Sequence, residues 1–396
     1  MAFWDLRRLL SPSRRDPAIA LGFIAGSAAV GMLAWSGETQ ALPVACLFPT
    51  LWAFAPNRFV ATLVALAYFL AASRGLPAGV SIFYATDMGV ALGLWFAASL
   101  LFVLVHGLLW PSKPGWQRSL RYAIALFLMA FPPFGITGWA SPITVAGVLF
   151  PGWGWISLLA MAFGLLAMTT RVWPIAGLGL CLAWAASAVS WIAPQPPAGW
   201  AGIDTQFNQD GTKSRSAYGQ QQATAALVRK AAKKGVTRIV LPEGAFGTWT
   251  PTTEHFWRNA LSGLDVTVAG GAIVVDETGY DNVMIEVSGH GARILYRERM
   301  PVPISMWQPW TTGGVRAQFF DNPRARFAGT PIAPLICYEQ LLIWPVLQSM
   351  IPKPEVIVAI GNGWWTGETN IIAVQRASAE AWASLFHLPL VTAFNK

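Results

Sequence analysis

The chain has 396 residues, of which 54% are hydrophobic and only 12% charged, with 21 tryptophans and a mean hydropathy of +0.46. That average is too apolar for an ordinary soluble protein and makes a polytopic membrane protein the expectation. The net charge of +8 does not argue for nucleic acid, because the half after Pro194 holds 17 basic against 15 acidic residues and leaves six of the eight excess charges in the apolar half, where membrane topology accounts for them.

Apolar runs at 18–36, 41–54, 59–72, 88–110, 122–136, 153–168 and 175–192 predict about seven membrane helices over residues 1–194, with six as the alternative, since the second and third runs are short enough to form a hairpin or a tilted pair. Arg14 and Arg15 precede the first run like the start of a signal peptide, yet the run is long and followed by further spans, so a retained helix is expected. With a cytoplasmic N-terminus, Arg7, Arg8, Arg14, Arg15, Arg58, Lys113, Arg118, Arg121 and Arg171 lie inside and Arg74 alone outside. Seven spans then place the second half in the periplasm.

Asp87 and His106 are the ionisable residues closest to the middle of these runs. Asp87 reads as a helix cap and His106 as lying near a helix end, so neither supports a pore or carrier. Cys46 and Cys181 fall within apolar runs and read as small buried hydrophobes. His106, His255, His290 and His387 lack metal-ligand spacing, and no phosphate-binding glycine loop is present, so neither a metal nor an organic cofactor is implied.

Gln195-Pro196-Pro197-Ala198-Gly199 cannot continue a helix and marks the boundary to a second domain, 195–396. There a polar helix is expected at 216–234, strands at 238–241, 266–275, 283–287, 292–296, 332–336 and 356–360, and helices at 340–350 and 371–386, which together predict an α/β sandwich. Glu243, Cys337 and Asn362 each follow an apolar strand, where α/β sheets present reacting groups.

The ordered set Leu241-Pro242-Glu243, a Gly279-Tyr280-Asp281-Asn282 turn, Tyr296 with Val302-Pro303, Ile336-Cys337-Tyr338-Glu339 and Gly361-Asn362-Gly363-Trp364-Trp365-Thr366-Gly367 resembles the carbon-nitrogen hydrolase (nitrilase) superfamily. With apolar spans in front, the layout is similar to apolipoprotein N-acyltransferases, and segment 300–310 is most similar to the conjugal-transfer TraB family. The resemblance implies a polytopic α-helical membrane domain in the bacterial inner membrane followed by a periplasmic αββα nitrilase-like sandwich.

It further implies that Glu243 is the general base and Cys337 the nucleophile of a Glu-Lys-Cys triad, forming a thioester. The family lysine falls on Glu298, and no Lys lies between Lys234 and Lys353. Arg299 or Arg297 is the candidate substitute cation if a bulge turns it inward, although strand alternation points both away from the face of Glu298. The acyltransferase pattern also has a Glu where Met306 stands. The chain ends at Lys396, where the family continues with further strands and a membrane helix, so one edge of the sandwich is expected to be incomplete.

Tyr338, Glu339, Asn362, Trp364 and Trp365 are expected around the pocket, Glu339 as a support for neighbouring backbone. Trp307 and Trp310, in a loop with Pro303, Pro309, Gly313 and Gly314, are candidates for a lipid-facing surface. The expected partners are membrane lipid, a phospholipid acyl donor, and a lipoprotein or pilus component. Two function classes follow: an acyltransferase or amidase of conjugal transfer, and a non-catalytic conjugation or envelope factor that uses the fold as a binding surface.

Overall fold

The computed structural model describes residues 17–113, 115–207, 217–277, 279–311 and 314–396. The basic residues Arg7, Arg8, Arg14 and Arg15, the expected helix start at Ser216, and Gly313 lie outside the described residues.

The first half is helical. By length and composition three helices among the described residues could cross a membrane: Pro17–Ala34, Met88–Leu109 and Trp173–Ser190. A fourth is obtained if Arg58–Ala72 and Leu76–Tyr84, bent by 59° where they meet, count as one span. This is fewer than the seven expected segments. The second run forms a 3-10 helix, Thr39–Leu47, with Pro43 inside it, and then the seven-residue helix Phe48–Phe54. The fifth and sixth runs form helices of 15 and 14 residues, Trp116–Ala130 and Trp155–Met168, below the roughly 20 residues of a full span.

The polar landmarks of this half serve structure. Asp87 stands at the N-cap position of Met88–Leu109, but its side chain makes no capping hydrogen bond, contrary to the expected cap. His106 is buried, with Nδ1 2.8 Å from the Phe102 carbonyl oxygen. Cys46 is buried as expected, whereas Cys181 is exposed on its helix.

The second half is a four-layer αββα sandwich. One sheet has the order β1 (Trp200–Gly202), β2 (Arg238–Val240), β3 (Thr267–Asp276), β4 (Gly279–Val287), β5 (Ala292–Arg297); β1 to β3 run parallel and β3 to β5 antiparallel. The other has β6 (Ala325–Phe327), β7 (Thr330–Ile336), β8 (Val356–Asn362) and β9 (Leu390–Asn395), with β7 to β9 parallel. Between the sheets Val240, Ala269, Met284, Tyr296, Ile336, Val358, Ile360 and Val391 form one buried cluster, as alternating inward residues of two facing sheets must. Helices Ala217–Ala232 and Pro251–Leu261 cover the first sheet, and Ile343–Met350 and Ile371–Phe386 the second. The quoted Gly279 to Asn282 stretch is the start of β4 rather than a turn. At the chain's end, β9 pairs with β8, and Thr205 bridges to Asn395, so residues 390–395 build an edge that the sequence reading leaves open.

The halves share a core. Trp382, Ala377 and Ala381 of helix Ile371–Phe386 are buried in the same cluster as Trp35, Trp52 and Val148. Gly147 lies so close to the Ala381 carbonyl that a Cβ would come within 1.7 Å of its oxygen. Polar ties reinforce the contact, from the Thr39 hydroxyl to Glu380 at 2.5 Å and from the Asn370 amide to the Trp35 carbonyl at 2.7 Å. The second half is therefore seated on the helices, with its nucleophile side toward them.

Candidate active site

Three strand ends converge. Glu243 follows β2, where Gly271 on β3 makes room for it: a Cβ there would lie 2.5 Å from the Glu243 Cα. Cys337 leaves β7 into the 3-10 helix Cys337–Leu341 with φ of +48°, a left-handed conformation that a side-chain-bearing residue rarely adopts. Such a turn stands a side chain clear of the sheet and costs about 1–3 kcal/mol. Asn362 ends β8, and its Oδ1 accepts from Asn395 Nδ2 at 3.0 Å.

The Glu243 carboxyl and the Cys337 thiol are both buried and line the same cavity. Asn282 Nδ2 donates to Glu243 Oε1 at 2.7 Å and to Glu298 Oε2 at 2.9 Å, while Glu243 Oε2 and Glu298 Oε1 have no hydrogen-bond partner. Burial pushes both carboxyls toward their protonated forms, Glu298 far above the usual carboxylate range because the Glu243 charge adds to desolvation. Burial and then the Glu243 carboxyl likewise raise the Cys337 thiol. All three groups are therefore shifted toward their protonated forms, and Glu243 is the carboxyl that acts on the thiol most strongly.

The substitute-cation expectation fails for both arginines. Arg297 turns outward and pairs with Asp281, which also holds Arg316. Arg299 is completely buried in a different place: it donates to the Tyr296 hydroxyl, Gln348 Oε1, the Pro345 carbonyl and Ser349 Oγ at 2.6 to 2.9 Å. Glu298, between them, turns instead to Asn282, which lines the cavity. Among the described residues that line the cavity, none is Lys, Arg or His.

Glu339 is tied to backbone on both sides of the site. Its Oε1 accepts from Tyr296 Oη at 2.6 Å and Arg299 N at 2.9 Å, and its Oε2 from Ile336 N at 2.9 Å. One carboxylate thus fastens the nucleophile turn to the segment that carries Glu298.

An apolar cavity of about 480 Å³ opens from Cys337 and Glu243. Tyr338, Asn362, Trp364 and Trp365 of the second half line it together with Leu76, Val80, Phe83, Ala98 and Leu101 of the first. Phe83 stacks on Trp364 with centroids 6.0 Å apart. Of the loop tryptophans, Trp307 packs against Phe319 while Trp310 is 67% exposed. Met306 lies in the cavity wall at the position of the family Glu. The sequence reading missed Gln375, whose Nε2 lies 3.6 Å from Cys337 Sγ, and the Leu76–Tyr84 wall.

Paired sheets that present a cysteine and a glutamate from the ends of their strands define a carbon-nitrogen hydrolase, and residues 71–384 match the family model of that description. The chain belongs to the carbon-nitrogen hydrolase family. It is similar to "Conjugal transfer protein TraB" of Agrobacterium fabrum strain C58, with 52% identity over 384 residues covering 93% of this chain and 91% of that protein. With "Probable conjugal transfer protein TraB" of Sinorhizobium fredii it shares 49% identity, covering 96% and 100% respectively. A solved carbon-nitrogen hydrolase of Helicobacter pylori G27 aligns with 14% identity, a TM-score of 0.37, and coverage of 49% of this chain and 72% of that one.

Proposed function

We propose that this protein is a membrane-anchored, cysteine-dependent acyltransferase or amidase of conjugal transfer, with its nitrilase-like half in the periplasm. The observation that carries the reading is the continuous apolar cavity that joins Cys337 and Glu243 to helices Leu76–Tyr84 and Met88–Leu109. An acyl chain is the substrate class such a wall accommodates. The two TraB relatives support the place in conjugation.

In the proposed reaction Glu243 Oε2 takes the Cys337 thiol proton, and the sulfur electron pair adds to the acyl carbonyl carbon of a lipid ester. The tetrahedral oxyanion collapses, the carbon-oxygen bond of the ester breaks, and Glu243 returns its proton to the leaving alkoxide. An amine or water then attacks the thioester and restores the thiol. Burial favours the protonated form of Glu298, which would add no negative charge to the oxyanion, so the carboxyl at the lysine position is compatible with this sequence.

Intact-mass measurement of protein purified from membranes tests it: an acyl adduct removed by hydroxylamine and lost in Cys337→Ala is expected. No adduct, together with unchanged conjugation by Cys337→Ala where deletion of the gene reduces conjugation, rejects catalysis. The carboxyl of Glu298 at the family lysine position favours the second reading, a non-catalytic envelope factor that binds lipid or a pilus component through the same cavity. Topology reporters fused after Ser112 and after Lys396 should give opposite signals under the proposed orientation.

A further inference from the structure

Among the described residues no basic side chain lines the cavity, and the group that meets the sulfur of Cys337 is an amide. Gln375, 5% exposed, lies on helix Ile371–Phe386, and its Nε2 donates to Cys337 Sγ at 3.6 Å. The other ionisable groups acting on that sulfur are Glu243 and Glu298, and a charge on either opposes a sulfur anion.

The amide sits on a fixed support. Its helix is fastened to the first half through Asn370 and Glu380, and to the nucleophile's own 3-10 helix by Trp382 Nε1, which donates to the Gln340 carbonyl at 3.1 Å. On β8, the space over Gly361 is taken by the Phe394 ring, which a Cβ would approach to 2.6 Å, and the Gln375 Oε1 lies beside it at ordinary contact distance, 3.6 Å from that Cβ position. A donor locked in this way stabilises developing charge without reorganising during the reaction.

We propose that Gln375 is a catalytic residue, whose side-chain N–H donates to the Cys337 sulfur and stabilises the thiolate as the S–H bond breaks and its proton passes to Glu243. The inference rests on the nucleophile role proposed for Cys337. Gln375 itself neither gains nor loses a proton, and the electron pair of the S–H bond stays on sulfur.

The test uses the full-length protein in lipid nanodiscs with Cys46→Ala and Cys181→Ala, so that Cys337 is the remaining thiol. Its iodoacetamide alkylation rate is followed from pH 6 to 11 in this parent, in Gln375→Leu and in the isosteric Gln375→Glu, while the hydroxylamine-sensitive acyl adduct is measured on the same samples. Loss of one donor should slow alkylation at pH 8 about tenfold and move the midpoint to higher pH, with the same limiting rate at high pH. Gln375→Glu should shift further, because its carboxylate would face the thiolate. Midpoints and adduct yields equal to the parent's in both variants, or faster alkylation in both, overturn the role of Gln375 and leave the nucleophile reading standing. A parent that forms no adduct and shows no alkylation of Cys337 overturns both.

Discussion

Glu243 and Glu298 are joined by a single nitrogen: the Asn282 amide donates to an oxygen of each carboxyl, at 2.7 and 2.9 Å. An amide between two buried carboxyls cannot neutralise charge, so the pair is most stable when it holds a proton, and desolvation raises both groups in that direction. A carboxyl raised above its unfolded value of about 4.3 contributes stability that is complete below that pH and is lost as pH rises through the folded value. Glu298→Gln keeps the shape and removes the titration. Its melting temperature should therefore match or fall below the parent's at pH 5 and gain on it steadily up to pH 9; parallel curves would show that Glu298 titrates normally.

Glu298→Lys places an ammonium where this sequence departs from the family pattern. Beside Glu243 and Cys337 it should favour the thiolate, so alkylation of Cys337 at pH 7 should accelerate by about tenfold or more. Unchanged alkylation in a folded variant would mean that position 298 does not act on the sulfur.

Arg299 is predicted to be structural. Arg299→Met would leave Glu339, Gln348 and Ser349 without their buried partner, a class of change that costs about 3–5 kcal/mol. Denaturant unfolding in detergent should show the loss, whereas Arg297→Gln, which removes a partly exposed guanidinium and leaves Asp281 paired with Arg316, should cost less, about 1 kcal/mol.

Much of this site is legible in sequence because strands ending at Pro242-Glu243, Ile336-Cys337 and Gly361-Asn362 announce themselves as short apolar runs followed by a break. The lysine position is also legible, since Tyr296 and Val302-Pro303 bracket it. Gln375 is not: it lies on an ordinary amphipathic helix and reaches Cys337 only through packing between helix and sheet. Three-residue strands such as β1 and β6 carry too little periodicity to be seen. Helix Pro251–Leu261 did leave a signal, with Thr250 accepting from Thr253 N, Pro251 in the first turn and Glu254 after it, but its polar face hides an apolar stripe made by Trp257, Ala260 and Leu261. In the first half, apolar composition identifies helices but not which of them reach full length: the 41–54 run is split between a 3-10 helix that contains Pro43 and a seven-residue helix, and helix Leu76–Tyr84 falls outside every expected run.

The cavity wall gives the most discriminating test of substrate class. Ala98 and Leu101 line it from helix Met88–Leu109 of the first half, whereas Glu243 and Cys337 belong to the second. Ala98→Trp would fill space beside that helix and leave the carboxyls and thiol chemically unchanged. Long-chain acyl donors should then label Cys337 about tenfold more slowly, since the reacting carbonyl can no longer be seated at the sulfur, while iodoacetamide, which needs none of that space, should react at the parent's rate. Equal slowing of both reagents would mean that the substitution closed the common entrance. Equal retention of both would mean that the chain lies elsewhere, and that the cavity between Leu76–Tyr84 and Met88–Leu109 is not the route by which an acyl group reaches Cys337.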